Sequence, residues 1–351
     1  MKIEEEILKH IVTSLPTSFD DETVAFREKA YNVEKIDNDA FVQLSSLLSH
    51  NKKVGFVDGG NVNLFSGASL SLDFIRVAGV VFDGKKYTVP VTLDFYVSTK
   101  IEERDDRLFF VSTLFFEDLT AKTYSGVCEE LKKMENYLVV ALDDEHLTMG
   151  KRNVSIGAVS GIARRFAELI VAKNIQSDVV VLDGSLECTY PGEEKYMTFL
   201  LSFSDVVSLA KTSQLLTTKG NAVSYVLRKL SPFEMWMYPV ASVEKEFHRA
   251  SVSFVRLHPQ SKHIFRFECS PRLSSDGVKE LLGLLSSDAN DPVFFGYPYG
   301  LIKVDVVARI DNHEKEYLMT KFFAVAGKYA ETLQQLMSST NAHSVLDSIS
   351  Y

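Results

Sequence analysis

The chain has 351 residues, 46% of them hydrophobic and 24% charged, with a net charge of −9. That composition supports a buried core in one large domain or two small ones and excludes a disordered tether. Phosphate contacts need Lys and Arg, so an acidic chain points first to a small-molecule enzyme or an interaction module. Carboxylates gathered around metal ions are neutralised in a working site, which keeps nucleic acid open.

The N-terminus, MKIEEEILKH, is acidic and amphipathic rather than basic and then apolar, and no apolar run reaches the ~18–20 residues that span a bilayer. A cytoplasmic protein without a membrane span is expected. Residues 1–50 read as helical, with Ile7, Ile11, Phe41, Leu44 and Leu47 at helical spacing. KKVGFVDGG then reads as a short apolar strand ending in Asp58-Gly59-Gly60. Residues 70–98 form a predicted hairpin around Asp83-Gly84, and 107–116 a further strand.

Val127, Leu131, Met134, Leu138 and Leu142 share one face of a helix predicted over 125–142. A second helix over 154–173 feeds VVVLDGSLE, a continuous apolar strand of the kind buried on both faces of a sheet. Strand, hairpin strands, helix and buried central strand is the order of an RNase H-like core, an α/β mixed sheet flanked by helices. Strands at 247–256 and 264–269 and helices at 276–286, 302–310 and 315–337 follow as additional α+β elements. Cys128, Cys188 and Cys269 lie far apart with no CxxC spacing and read as buried thiols, not as zinc ligands or a disulfide framework.

The chemistry rests on two strands of one form. VGFVDGG and VVLDGSL each close an apolar run with Asp then Gly. Strand ends collect ligand sites in α/β sheets, and the glycine lets the backbone turn away. Two carboxylates on adjacent strands would repel unless a cation stood between them, and hard oxygen ligands select Mg²⁺ or Mn²⁺. A two-metal site hydrolyses phosphodiesters. Ordinary turn chemistry explains a single strand-end Asp-Gly better, and two of them on buried strands equally well.

Basic residues cluster at Lys151-Arg152, Arg164-Arg165 and from Arg256 to Arg266. Arg256, His258, Lys262, His263 and Arg266 suit contact with a DNA backbone, or form a solvated edge that discourages strand pairing. Phe294, Phe295, Tyr297 and Tyr299 could stack on unpaired bases or belong to the core, and Phe294 is read as core.

The segments VGFVDGG, VVLDGSL, LAKTSQLL, FVRLHPQSKHIFRFE and FFGYPYGLIKVDVVARID, in this order, resemble the NurA family of prokaryotic nucleases, from about residue 52 to about 312. The most specific part is Gly296-Tyr297-Pro298-Tyr299 followed by Leu301 and Asp305. The resemblance implies an RNase H-like nuclease domain over 51–312 between helical segments at 1–50 and 313–351. It implies a metal-dependent deoxyribonuclease using Mn²⁺ or Mg²⁺, two ions, with 5′-to-3′ exonuclease and single-strand endonuclease action on DNA ends. It further implies a homodimer partnered by a HerA-like hexameric ATPase and translocase in end resection, homologous recombination and double-strand-break repair.

Residue by residue, Asp58 and Asp183 match the family's two metal aspartates, and Tyr297 the tyrosine of the GYP motif. Asp305 falls where members carry His or Asp, and Lys211 matches a lysine placed to neutralise a phosphate. A carboxylate complementing a helix N-terminus is the lesser alternative for Asp305. The carboxylate expected on the preceding helix is Glu168, 15 residues before Asp183 and nearer than the family pattern. It is equally explained as a solvated partner of Arg164, in which case Glu187 or the Asp143-Asp144-Glu145 cluster would serve. Gly60 stands where the family commonly has Ser. Two alternatives remain: another RNase H-like enzyme (a ribonuclease H, a resolvase or an Argonaute-like slicer), or an inactive scaffold of the same fold. No GxxxxGK[ST] loop is present, so an NTPase is not expected.

Overall fold

Continuous β-branched and aromatic runs pair into long strands wherever the chain can bury one or both faces. The computed structural model describes the chain except for residues 1–2, 14–15, 17, 20, 27–30, 34, 47–51, 85, 89, 145–155, 245–248 and 339–351. In chain order the main elements up to the middle are α1 (Ile3–Thr13), β1 (Lys53–Ser66), β2 (Leu70–Asp83), β3 (Val91–Arg104), β4 (Arg107–Phe116), α2 (Ser125–Met134), α3 (Ala158–Asn174) and β5 (Val179–Asp183). There follow α4 (Glu193–Phe203), β6 (Asp205–Ala210), α5 (Val223–Leu230), β7 (Trp236–Glu244), β8 (Arg249–Arg256), β9 (Phe265–Cys269), α6 (Ser275–Asp288), α7 (Tyr299–Ala308) and α8 (Asn312–Ala326). Contacts divide the chain into two units: residues 51–182, 188–206 and 300–351 form one, and 1–50, 183–187 and 207–299 the other.

In the unit that begins at residue 51, β1, β2, β3 and β4 form an antiparallel meander, and β5 runs parallel to β1 on the other side. The strand order β5–β1–β2–β3–β4, with α3 preceding the parallel strand, is the RNase H-like mixed sheet flanked by helices expected from the sequence. Side chains alternate across β1, and two helices use its two faces. On one face α3 runs antiparallel to β1: Asn61 Nδ2 donates to Ser160 Oγ (3.1 Å) and Arg164 Nη1 to Asn61 Oδ1 (3.3 Å), while Ile175 lies against Gly55. On the other face α7 sits with Gly300 over the Phe56 ring and the Ala308 carbonyl over Gly60. The apolar side of α8 packs on the same sheet, with Leu318, Met319, Phe322 and Phe323 against Leu64, Phe65 and Phe74.

In the other unit, β6, β9, β8 and β7 form an antiparallel sheet in that order, extended by short strands at Tyr31–Val33 and Val42–Gln43 on β7. Trp236, Tyr238 and Phe254 bury beneath α5 residues Val223, Val226 and Leu227, together with Phe41.

Several expectations fail. Among the described residues of the N-terminal region, only α1 is a long helix, and none of its residues is buried. Phe41 ends a 3₁₀ turn and Val42–Gln43 is a strand, because main-chain pairing with β7 outweighs the helical spacing of Phe41 and Leu44; Leu47 lies outside the described residues. The helix expected over 125–142 stops at Met134. Val139–Ala141 instead adds a strand to β4, as suits a Val-Val pair beside an open sheet edge. The C-terminal helix breaks at Gly327, whose φ is +48°. Cys128 and Cys269 are buried as expected, but Cys188 is only half-buried.

Candidate active site

Asp58 lies in the middle of β1, not at its end. The strand continues to Ser66 because β2 keeps pairing with it as far as Ser66 opposite Ser71. What ends there is the parallel neighbour. The β5–β1 ladder runs from Val179 opposite Val54 to Leu182 opposite Val57, and the residue following each member of that last pair is an aspartate.

In the unit that begins at residue 51, Asp58 is half-buried and its Oδ1 accepts the Gly59 N–H at 2.8 Å. Alternation puts Asp58 on the face covered by α7, which also carries the half-buried Asp305. Asp305 is paired with Arg309 one turn on. Glu168 belongs to the other face. Its Oε1 lies 2.7 Å from where a Cβ on residue 59 would stand, and its carboxylate pairs with Arg164 Nε (3.4 Å) and Arg165 Nη1 (3.6 Å). Its partnership with Arg164 is therefore real, but the side chain is 11% exposed rather than solvated. Behind it, Arg165 Nε also reaches Glu193 at 3.8 Å. Burial, and then the charge of Glu168, push the Glu193 carboxyl up to about 7 against the opposing pull of Arg165. Asp143 forms an exposed pair with Arg107, and Glu145 lies outside the described residues.

In the other unit, three predicted residues meet. Lys211 Nζ is 3.0 Å from Asp183 Oδ2, and the Tyr297 hydroxyl donates to Asp183 Oδ1 at 3.3 Å. Lys211 Nζ also stands 5.5 Å from the centre of the Tyr297 ring. The turn after Asp183 depends on Gly184, whose φ of +100° an L side chain rarely adopts. Tyr297 is 1% exposed and stacks on Phe294 at 5.0 Å, so both belong to the wall of this group. Phe295 stacks on His258 at 4.5 Å, and both are half-buried.

Two of the predicted basic contacts are engaged within the protein. Arg256 donates to the carbonyls of Ser261 (3.1 Å) and Pro259 (2.5 Å), closing its own turn. Arg266 pairs with Glu268 at 2.6 Å. Glu268 was missed by sequence reasoning: it is fully buried in FRFEC and accepts the Leu186 N–H at 3.0 Å. A charged residue alternating with Phe in a central strand was the available signal. Asn61, whose amide joins β1 to α3, was missed as well, because nothing local marks it.

The donors suit a hard cation in kind. Among the described residues, however, no three His, Cys, Asp or Glu side chains form a group that could hold a metal ion. Lys211, Arg164, Arg165 and Arg309 stand against the candidate carboxylates as protein cations.

No family model matches the chain, and no curated protein matches it. Among solved structures, it is similar to Endonuclease V of Ciona intestinalis in complex with an inosine-containing 24mer DNA, at 12% identity over 80% of this chain and 94% of that one, with a TM-score of 0.37. The catalytic domain of human Endonuclease V gives 14% identity, 80% and 92% coverage and a TM-score of 0.38. For A. aeolicus Argonaute the values are 10%, 76%, 29% and 0.33. Among the described residues no helix is long and apolar enough to cross a membrane.

Proposed function

We propose that this chain is a deoxyribonuclease of the NurA type, with residues 51–312 as the nuclease core. The observation that carries the reading is the parallel β5–β1 ladder, whose last pair, Leu182 opposite Val57, is followed on each strand by an aspartate. The proposal takes Asp58 and Asp183 as its principal carboxylates, with Asp305 on the helix that covers the Asp58 face of β1 and Glu168 on the opposite face as further candidates. Tyr297 and Lys211 act on Asp183: the phenol donates a hydrogen bond to one carboxylate oxygen and the ammonium faces the other. A phosphate entering beside Asp183 would meet the Lys211 point charge. The His258–Phe295 stack offers a flat face on which an unpaired base could lie.

Dependence on Mn²⁺ or Mg²⁺ belongs to this reading. It rests on the family resemblance and on the oxygen character of the donors, as do the homodimer and the HerA-like translocase. The test is cleavage of labelled single- and double-stranded DNA with Mn²⁺, with Mg²⁺ and with EDTA. Cleavage with either ion that EDTA stops is expected. Cleavage unaffected by EDTA would remove the metal from the proposal, and no cleavage of any substrate would favour the inactive scaffold.

A further inference from the structure

We propose that Glu268 is a positioning residue for Asp183, gripping the loop Gly184–Leu186 from within the sheet; its consequence for cleavage rests on the nuclease reading above. Glu268 sits on β9 with no exposed surface, between Phe267 and Cys269, which are themselves buried. Burying a carboxylate is costly unless it is paired and hydrogen-bonded. The sheet does not need this one, since β9 pairs through its main chain, with Glu268 opposite Ser208 on one side and Val252 on the other. An apolar side chain would fill the position at lower cost.

What the carboxylate does is specific. One oxygen accepts the Leu186 N–H at 3.0 Å, and the other pairs with Arg266, two residues back on the same face, at 2.6 Å. The Gly184 N–H meanwhile reaches the Leu209 carbonyl of β6 at 3.4 Å. The turn that leaves Asp183 is thus held at Gly184 by main chain and at Leu186 by a buried charge. Between Asp183 and Leu186 there are only Gly184 and Ser185, and Gly184 has a positive φ. Without the Leu186 anchor, such a short, glycine-containing turn could swing the Asp183 carboxylate away from Lys211 and Tyr297. In this role Arg266 is the counter-charge of Glu268 and does not serve as a phosphate contact.

A purely structural role and a positioning role separate in the double variant Arg266→Met/Glu268→Leu. Replacing a buried ion pair with apolar side chains of similar volume is often neutral or stabilising, so the melting temperature should stay within about 3 °C of wild type. Amide exchange over residues 184–187, followed by mass spectrometry, should accelerate at least about tenfold while that of β8 is unchanged. Cleavage should fall about 10–100-fold in kcat with little change in KM, the scale of lost outer support to a site. Glu268→Gln, which keeps an acceptor for Leu186, should fold and show a smaller acceleration. Unchanged exchange over 184–187 in the folded double variant would overturn the proposal, as would freed exchange with wild-type kcat. If the wild-type protein does not cleave DNA, the nuclease reading fails by itself and the exchange measurement decides the anchoring.

Discussion

The Glu168 carboxylate stands against the backbone of Gly59, its Oε1 2.7 Å from the position a Cβ would take. Arg164 Cγ lies 2.8 Å from the same point. A side chain at residue 59 would therefore have to push aside both members of this pair, on the face of β1 opposite Asp58. Gly59→Ala is expected to displace Glu168 and lower cleavage about tenfold or more, with a stability cost of about 1–3 kcal/mol. Steady-state kinetics beside urea unfolding would check it. Wild-type kcat with the stability loss present would take Glu168 out of the active site.

Replacing Asp58 or Asp183 with Ala should abolish cleavage and leave the fold intact. Residues acting as one unit are not additive, so the double variant should be no slower than either single one. More than a tenth of wild-type activity in Asp183→Ala would end the assignment.

The packing of α7 leaves no room for a side chain at Gly60. A Cβ there would stand 2.3 Å from the Ala308 carbonyl oxygen, a backbone atom that cannot rotate away. Gly60→Ser should cost about 1–3 kcal/mol, the range for overpacking a tight contact. Thermal unfolding of the variant measures it, and an unchanged midpoint would show that α7 shifts freely.

Glu193 links pH to stability. Its carboxyl is raised from 4.5 to about 7, chiefly by burial. The folded protein therefore holds this proton over a range in which the unfolded chain has lost it. The stabilisation is fully present below about pH 4.5 and is lost as pH rises through about 7, amounting to roughly 3 kcal/mol. Asp73, raised to about 6 by burial, acts in the same direction over a lower range. Urea unfolding at pH 5 and pH 7.5 should show Glu193→Gln flattening the decline relative to wild type, and parallel declines would refute the assignment.

With a net charge of −9 and Arg256 and Arg266 engaged within the protein, binding to DNA by this chain should be weak and should fall steeply with salt. A ring-shaped translocase would raise the effective DNA concentration without new contacts. Resection of long duplexes at physiological salt should therefore rise sharply when a HerA-like translocase and ATP are added. Equal rates with and without them would remove the partner from the proposal.

The order of strands, the hairpin at Asp83-Gly84, and the apolar runs leading to Asp58 and Asp183 were legible in the sequence. They depend on local patterning, and a continuous apolar run reports burial on both faces wherever it lies. The meeting of Lys211 and Tyr297 at Asp183 was legible only in part: the motifs named the residues, while the contact joins segments more than a hundred positions apart in the case of Tyr297. Tertiary structure decided the rest. Asp58 is interior to β1 because β2 outlasts β5 as its neighbour, and strand length depends on the partner as much as on the strand's own residues. Val139–Ala141 left its predicted helix because the edge of β4 was open to it. Glu168 and Asp58 fall on opposite faces of β1 because helix packing and strand alternation together set the direction of each side chain. Glu268 acquires its meaning only from Leu186, 82 residues away, and a sequence pattern records burial more readily than it records a partner.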